Sequence, residues 1–416
     1  MPEDLLREVQ RDAPMERRKF IKLVGGGIIL AAGAAGAGLL MGAPIFGIPD
    51  SAVAAWRAPE PELELRRFVL SYAILAPNPH NLQPWIADLR NPDEIALRLD
   101  PDRLLPATDP FGRQILMGAG AFIELLALAA AERGHRADVI LFPEGEPGKN
   151  IDGREFARIR LVPQPEIRRD PLFKYVLARR TDRRTFDPER QVSAGDIELL
   201  RAAATSLPVR FGFAGSAGGP PSDIARLTEI RKIVREAWRV EVTTEPTMME
   251  SMRLLRFGSS EIDKHRDGVT ITSPIAVILA KAGLIDVSKF PSPDSRITAG
   301  LIADFDAITA STPAYLWIAT EGGSRVRQID AGRAYARVNL AGVAAGLVMQ
   351  PNEQALQEYA AVADQYQAIH QLLEAPAPQY TVQMLARVGY LPSNVAAASP
   401  APRRGLPALL AGPAVS

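Results

Sequence analysis

No cysteine occurs among the 416 residues, and only four histidines do. Disulfides, thiol nucleophiles and iron–sulfur ligation are thereby excluded. His80, His135, His265 and His370 are too widely scattered for any pair to have metal-ligand spacing, which argues against a zinc site. Neither sign of charge is in excess: Lys+Arg and Asp+Glu number 48 each. A neutral chain has no global attraction for nucleic acid, so basic clusters must be read locally. No glycine loop leads into Gly-Lys-Ser/Thr, so a phosphate-binding P-loop is absent. Gly118-Ala119-Gly120 lacks the third glycine of a dinucleotide fingerprint. Ala214-Gly215-Ser216-Ala217-Gly218 has alanine where a nucleophile elbow requires glycine and leads into a Gly/Pro loop, which argues against a serine hydrolase.

What is present at the N-terminus reads as an address. Glu16-Arg17-Arg18-Lys19-Phe20-Ile21-Lys22 precedes a run from Leu23 to Ala43 built almost wholly of Gly, Ala, Leu, Ile and Val. Positive charge followed by a mildly apolar stretch is the layout of an export signal. The arginine pair with Phe20 and Ile21 behind it resembles a twin-arginine signal, with Glu16 in place of the usual hydroxyl residue. That resemblance implies the twin-arginine export machinery as a partner, and a location in the periplasm or at the outer face of the inner membrane. Ala52-Val53-Ala54 offers a small-residue cleavage site; extended through Ile48, the same run is long enough to remain as an anchor. Apart from this segment nothing calls for a membrane. A route that carries folded proteins, and a chain that gains nothing from an oxidising compartment, both point to a cofactor loaded before export.

A chain of this length exceeds one average core, so two domains or a duplicated fold are expected. Apolar spacing over residues 62–75 predicts a helix ending before Pro77. Trp85–Leu89 and Glu94–Leu99 read as paired strands around Asn91-Pro92-Asp93, and Gly112–Gly134 as a long buried helix. Strands are predicted at Val139–Phe142, Ala157–Val162, Val209–Phe213, Ala314–Thr320 and Tyr380–Val388, and helices at Ala194–Ala204 and Gly332–Met349. Residues 221–300 read as helical and irregular; Met248, Met249 and Met252 suit either an adaptable surface over a pocket or ordinary core. Gly112-Arg113 and Gly332-Arg333, 220 residues apart, each open an Ala/Leu-rich helix, an echo that suggests two copies of one α+β unit.

Two distant segments suit one ligand. In Ala76-Pro77-Asn78-Pro79-His80-Asn81-Leu82-Gln83-Pro84-Trp85 the prolines stiffen the backbone, so that Asn78, His80, Asn81 and Gln83 present polar groups from a preset scaffold. That suits the polar edge of a flavin ring; a proline-braced loop with Trp85 as a core plug fits the composition equally well. Arg179-Arg180-Thr181-Asp182-Arg183-Arg184-Thr185-Phe186 suits a phosphate, since arginine binds it through paired hydrogen bonds; a solvated basic face is the plainer alternative. Arg403-Arg404 is a second phosphate candidate or an exposed tail.

The first segment resembles the A-P-S-x-x-N-x-Q-P-W stretch of nitroreductase-family flavoproteins, and Arg180 to Phe186 is similar to their R-x-S-x-R/K-x-F stretch. Gly332–Met349 looks like their dimer-core helix, and Gln383–Tyr390 with Pro402-Arg403-Arg404 like their C-terminal strand and basic residues. The arginine segment follows the Pro/Asn segment instead of preceding it, the order of the tandem, Acg-like subgroup. The resemblance implies an α+β fold of two fused nitroreductase-like units, with mostly antiparallel sheets flanked by helices, forming a single-chain pseudo-dimer that is a monomer in solution. Residues 1–55 are then signal or anchor, 56–170 the first unit, 171–404 the second with a helical lid at about 221–300, and 405–416 a flexible tail.

It further implies one FMN site with its mirror image lost. Pro77, Asn78, Pro79, His80, Asn81 and Gln83 would line the ring, and Arg180, Arg183 and Arg184 would hold the phosphate. Arg179 competes with Arg180 for one role, and Thr181, Arg403 and Arg404 are further candidates. The implied function is FMN-dependent electron transfer from a small-molecule donor to a nitroaromatic or quinone acceptor, with no acid–base side chain required. Two alternatives are a non-enzymatic FMN-sequestering protein and a cofactor-free envelope scaffold.

Overall fold

The computed structural model describes residues 45–410, so the twin-arginine motif, the apolar run and residues 411–416 lie outside the described residues. Helix α1 (Leu65–Ala73) starts at Glu64, whose carboxylate accepts from the Arg66 and Arg67 amides and satisfies two donors that the first turn leaves open. Strands β1 (Trp85–Asp88) and β2 (Ile95–Leu99) form the expected hairpin, with Trp85 opposite Leu99. Helix α2 (Arg113–Glu132), β3 (His135–Leu141) and β4 (Glu155–Pro163) complete an antiparallel sheet ordered β1-β2-β4-β3. Helix α3 (Ala194–Ala204) and β5 (Arg210–Ala214) follow.

A long insertion then intervenes, comprising α4 (Pro221–Thr243), α5 (Glu245–Arg253), β6 (Leu255–Phe257), α6 (Gly258–His265), β7 (Val269–Ile271), α7 (Pro274–Lys281) and α8 (Arg296–Ala310). Strand β8 (Ala314–Glu321), α9 (Arg325–Ala344), β9 (Val348–Pro351), α10 (Ala363–Leu372) and β10 (Tyr380–Gly389) give a second antiparallel sheet ordered β5-β8-β10-β9. Replacing β1, β2, β3 and β4 by β5, β8, β9 and β10 turns one order into the other. In both units a long helix joins the second strand to the third, so the chain holds the same α+β unit twice.

The two sheets differ in what covers them. Strand β2 alternates buried and half-buried residues, the pattern of a sheet packed on one face. Strand β8 is buried on both faces: Ala314, Leu316 and Ile318 pack toward α9, while Tyr315, Trp317 and Ala319 pack toward α4 and α8. The layers therefore run from the first sheet through α2 and α9 to the second sheet and then to the insertion.

Helices α2 and α9 cross at glycines. A Cβ on Gly332 would lie 1.9 Å from the Met117 carbonyl oxygen, and one on Gly120 would lie 2.1 Å from that of Ile329. Arg113 and Arg325 each open their helix, 212 residues apart, and at that offset Gly120 matches Gly332 and Met117 matches Ile329. The crossing thus has an approximate two-fold axis. This corrects the Gly-Arg echo: Gly332-Arg333 lies seven residues inside α9 instead of opening it, and Met349 belongs to a short strand. The resemblance to Gly112-Arg113 arose because both helices are rich in small residues.

Both ends of the described chain are packed. Gly405–Leu410 forms a helix, α11, against α1 and β1 with Leu409 buried, so this part of the expected flexible tail is ordered, and residues 411–416 lie outside the described residues. Residues 45–56 dock across the insertion: Ser259 N donates to the Ile45 carbonyl (2.9 Å), and Ser51 Oγ to Asp263 (2.6 Å). Ala52, within the candidate cleavage sequence, is fully buried and its carbonyl accepts from the Arg403 amide.

Replacing glycine by alanine inside a helix normally gains up to ~1 kcal/mol, whereas overpacking costs ~1–3 kcal/mol or more. For Gly332→Ala the clash is with backbone and cannot be relieved by a rotamer change. Urea denaturation is expected to show a net loss of about 2 kcal/mol or more; an unchanged midpoint would show that the helices do not meet this closely.

Candidate functional site

A cavity of about 280 Å³ lies where α2 and α9 meet the insertion. Its floor is Gln114, Met117, Gly118 and Ala121 of α2 with Gly332 and Tyr335 of α9. Pro77, Asn78, Pro79 and His80 form one wall, and Thr181 and Arg183 enter from the arginine segment. Gln350 to Gln357 contribute a polar edge through Glu353, Gln354 and Gln357, and the insertion supplies an apolar roof that includes Trp238, Met248, Met252, Leu301 and Phe305. The two segments singled out in the sequence therefore face one space, one from each copy of the unit. Met248 and Met252 do line the pocket, while Met249 is buried among Val242 and Leu301.

The arginine segment sorts its side chains by alternation. Asp182 and Arg184 turn away from the cavity and pair at 2.5 Å, both buried, with Arg184 also donating to the Ala396 carbonyl (2.9 Å). Thr181 and Arg183 turn toward the cavity, and Arg179 Nη1 donates to Thr181 Oγ1 at 3.5 Å. The hydroxyl residue of the segment is therefore Thr181, flanked by Arg179 and Arg183, and the acidic Asp182 is compensated by Arg184. Arg183 is half-buried, makes no hydrogen bond among the described residues, and burial lowers its pKa.

The remaining arginines sit outside the cavity. Arg403 is fully engaged: its guanidinium donates to the carbonyls of Ile74 (2.7 Å), Leu75 (3.0 Å) and Ala76 (3.2 Å) and to Asn81 Oδ1 (2.7 Å). Arg179 is also buried, donates to Leu75 O (3.0 Å), and is held by burial at a pKa of about 10. Arg180 donates to the carbonyls of Leu177 and Arg179. No carboxylate among the described residues pairs with these three. Instead their guanidinium carbons lie 4.8–5.4 Å from the Trp56 ring centre, and two of them cap the electronegative end of α1. Arg404 reaches only the Gln83 side chain and carbonyl.

The Pro/Asn segment is a strained, internally braced loop. His80, Asn81 and Gln83 have φ of 48°, 54° and 52°, a left-handed conformation costing ~1–3 kcal/mol each for such residues. Side chains hold it there. Asn78 Oδ1 accepts from the Gln83 amide (2.8 Å), Asn81 Nδ2 donates to Pro402 O (3.0 Å), and Gln83 Nε2 donates to Asn81 O and Arg266 O. Asn81 and Gln83 are thus scaffold outside the cavity. Trp85 is buried against Phe122, so it is a core plug as its bland reading had it.

Sequence reasoning missed the roof's polar groups. Glu241 of α4 is 3% exposed; it accepts from Gln357 Nε2 (3.1 Å), and Ser251 Oγ lies 3.5 Å from its other oxygen. Burial raises its pKa to about 7. His80 Nε2 lies 3.1 Å from Ser251 Oγ, and burial together with Arg183 lowers its pKa to about 4, so it is neutral at pH 7. Gln114 Nε2 and Gln357 Oε1 are buried cavity-lining residues' polar atoms without a protein partner. The one signal available for Gln114 was a lone uncharged polar residue near the start of an otherwise apolar helix; Glu241 lies in a charged stretch and carried none.

The mirror position is filled. At the 212-residue offset, Gly118 and Ala121 correspond to Asp330 and Arg333, and Leu125 to Arg337. Arg333 pairs with Glu124 at 2.9 Å, and Arg337 bridges Glu124 (2.8 Å) and Asp170 (2.7 Å). Small residues leave a space on one side of the axis, and an ion-pair network occupies it on the other.

Arg184 and Arg183 should separate on substitution. Arg184→Ala leaves Asp182 buried without its partner and is expected to cost ~3–5 kcal/mol. Arg183→Ala removes a side chain with no hydrogen bond and should stay within about 1 kcal/mol of the parent chain in a denaturant titration. Equal losses would refute the alternation.

Comparison with known proteins gives the chain's relatives. The nitroreductase family model matches residues 176–390. A Mycobacterium tuberculosis protein named "Putative NAD(P)H nitroreductase Rv3131" is 30% identical over 351 residues, covering 83% of this chain and 91% of that protein. The acg protein of the same organism is 31% identical over 172 residues, covering 41% of this chain and 50% of its own. Among solved structures, the FMN-dependent nitroreductase NfnB of Mycobacterium smegmatis in complex with NADPH is 14% identical, with a TM-score of 0.33 over 56% of this chain and 92% of that one. A nitroreductase-named protein of Anabaena variabilis gives 12% and 0.39 over 72% and 69%. The extent of the family match and of the first relative's alignment makes this chain a member of the nitroreductase family.

Proposed function

We propose that the chain is an FMN-dependent oxidoreductase that takes electrons from a reduced donor and passes them to a nitroaromatic- or quinone-type acceptor. The observation that carries this reading is Arg183, a half-buried cation with no hydrogen bond or ion pair among the described residues, lining the cavity with Thr181 and the Pro77–His80 wall. A group with an anionic end and a polar-edged ring matches the polar groups left over: the donors Arg183 and Thr181 for the phosphate, and the donor Gln114 Nε2 and acceptor Gln357 Oε1 for the ring edge. Bound there, the flavin would supply hydride and electron transfer. The chain's own residues position and shield. The strained Pro77–His80 loop is fixed before any ligand arrives, Gly118 and Ala121 keep the floor low, and the roof side chains keep water out.

A second reading, FMN sequestration without turnover, is favoured by the filled mirror position and the long roof. Heat release from purified protein should yield one FMN per chain. Arg183→Ala should weaken FMN binding about tenfold or more, as expected for loss of a charge-assisted contact of ~1.5–3 kcal/mol. Rapid reoxidation of the reduced flavin by an added quinone supports the enzyme, and indifference to acceptors supports sequestration. Colourless protein that takes up no FMN would overturn both.

We also propose twin-arginine export, with the chain from Ile45 onward retained. Support comes from Arg17-Arg18 with Phe20 and Ile21 and from the docking of residues 45–56, which includes Ala52. The double change Arg17→Lys, Arg18→Lys should hold the protein in the cytoplasmic fraction. Mass spectrometry of the exported form should show no terminus beyond residue 45.

A further inference from the structure

Nitro and quinone reductions each consume two electrons and two protons. One proton travels with its electron pair as hydride, and the other must come from an acid. We infer that Glu241 is that acid, a carboxylic acid built into the roof of the cavity and aimed by Ser251, His80 and Gln357. The inference rests on the flavin reading above, which assigned no proton donor.

The geometry is that of a positioned donor. Glu241 lines the cavity from α4, on the roof side, and no cation is hydrogen-bonded or ion-paired to it among the described residues. Gln357 donates to one oxygen and Ser251 to the other, which fixes the plane of the carboxyl group. Behind Ser251 stands His80, whose Nε2 is 3.1 Å from the hydroxyl oxygen. A neutral His80 carrying its proton on Nε2 leaves Ser251 Oγ–H free to point at Glu241. The backbone strain at His80 places that ring in the cavity wall.

The charged and titratable surroundings favour a protonated Glu241. From α5, Glu250 adds negative charge while its own carboxylate is spent on the Ala107 and Thr108 amides (2.9 Å each) and Thr108 Oγ1 (2.6 Å). From the segment after β9, Gln354 and Gln357 are neutral; their hydrogen bonds, like that of Ser251, pull the other way and are outweighed by burial. From the Pro/Asn loop, His80 is neutral, with Arg183 beyond it. Burial is the largest cause and holds the carboxyl near pH 7, where an acid is most useful for general catalysis. FMN, when bound and reduced, would supply the electron pair as hydride; Glu241 would supply the proton, its O–H bond breaking as an O–H bond forms on the acceptor oxygen. A quinone becomes a hydroquinone; a nitro group becomes a nitroso group and water. The carboxylate then regains a proton from solvent.

The test uses the full chain loaded with FMN, reduced anaerobically and mixed with a quinone at pH values from about 5 to 9. In the native protein reoxidation should slow as pH rises through about 7. Glu241→Gln, which keeps the size and the hydrogen-bonding frame, should be slower by on the order of 10²-fold at pH 6 and lose that pH dependence. Glu241→Asp should recover part of the rate, and Ser251→Ala should shift the midpoint while leaving a pH-dependent rate. An independent readout needs no flavin: an infrared pH titration of the protein should show carboxylic-acid absorption disappearing near pH 7, where burial also raises Glu353, and Glu241→Gln should lose the part due to Glu241. Native and Glu241→Gln chains with the same pH course, or with the same infrared titration, overturn the assignment. A chain that never takes up FMN instead overturns the reading beneath it, and this step with it.

Discussion

Backbone contact between α2 and α9 is the constraint on which the rest of the structure depends. Two helices can approach so closely only where side chains are absent, and Gly120 and Gly332 provide that at symmetry-related points. Closeness couples the two copies. Arg113, at the start of α2, donates to Gln383 and Leu356 carbonyls and pairs with Glu353, all in the second unit. Arg325, at the start of α9, donates to carbonyls of Phe111, Gly148 and Lys149 in the first. Each unit reaches toward the loop between the other's last two strands with a buried guanidinium, and Arg113 Nε lies 3.5 Å from Glu358. Neither copy of the long helix could bury its surface alone, so the fused pair behaves as one folding entity.

A two-fold crossing generates two equivalent spaces, yet among the described residues one is open and the other is occupied by side chains. The difference lies in a few positions along the helices. Where α2 has Gly118 and Ala121, α9 has Asp330 and Arg333, and the side chains of the latter with Arg337, Glu124 and Asp170 form a network in place of a void. Breaking such a partly buried network would cost more than a surface pair is worth, so the filled side is stable once formed. The open side acquired the insertion between β5 and β8, whose α4 and α5 cover it. Fusion of two units made this divergence possible, because in a homodimer every substitution would strike both spaces at once.

Much of the fold was legible because its signals are local. The Trp85–Leu99 hairpin, α3 and the two long helices follow from period, turn residues and proline breaks. The start of α9 was not, because Arg325, Gln328 and Asp330 are polar yet buried there, and polar residues at buried positions interrupt the hydrophobic period. The site was legible as two segments but not as side chains. Alternation within an extended stretch decided that Thr181 and Arg183 face the cavity while Asp182 and Arg184 face each other. The destinations of Arg179, Arg180 and Arg403 depended on Trp56 and the end of α1, elements remote in sequence that no motif connects.

If the cavity is the proposed flavin site, covering it with apolar side chains creates a difficulty that this roof would also resolve. On the proposed reading Trp238, Met252, Leu301 and Phe305 would keep water away, which would protect a reduced cofactor but remove the ordinary source of protons. A carboxyl group placed in the same layer is desolvated by the same neighbours, and desolvation is what makes it hold a proton at neutral pH. Exclusion of solvent and supply of acid are therefore two results of one packing arrangement. The longer the acceptor is shielded, the more the acid is needed, and the better the roof makes it. On this argument the insertion is chemical equipment added to the open half of a duplicated fold, and its value depends on the other half having been closed by charge.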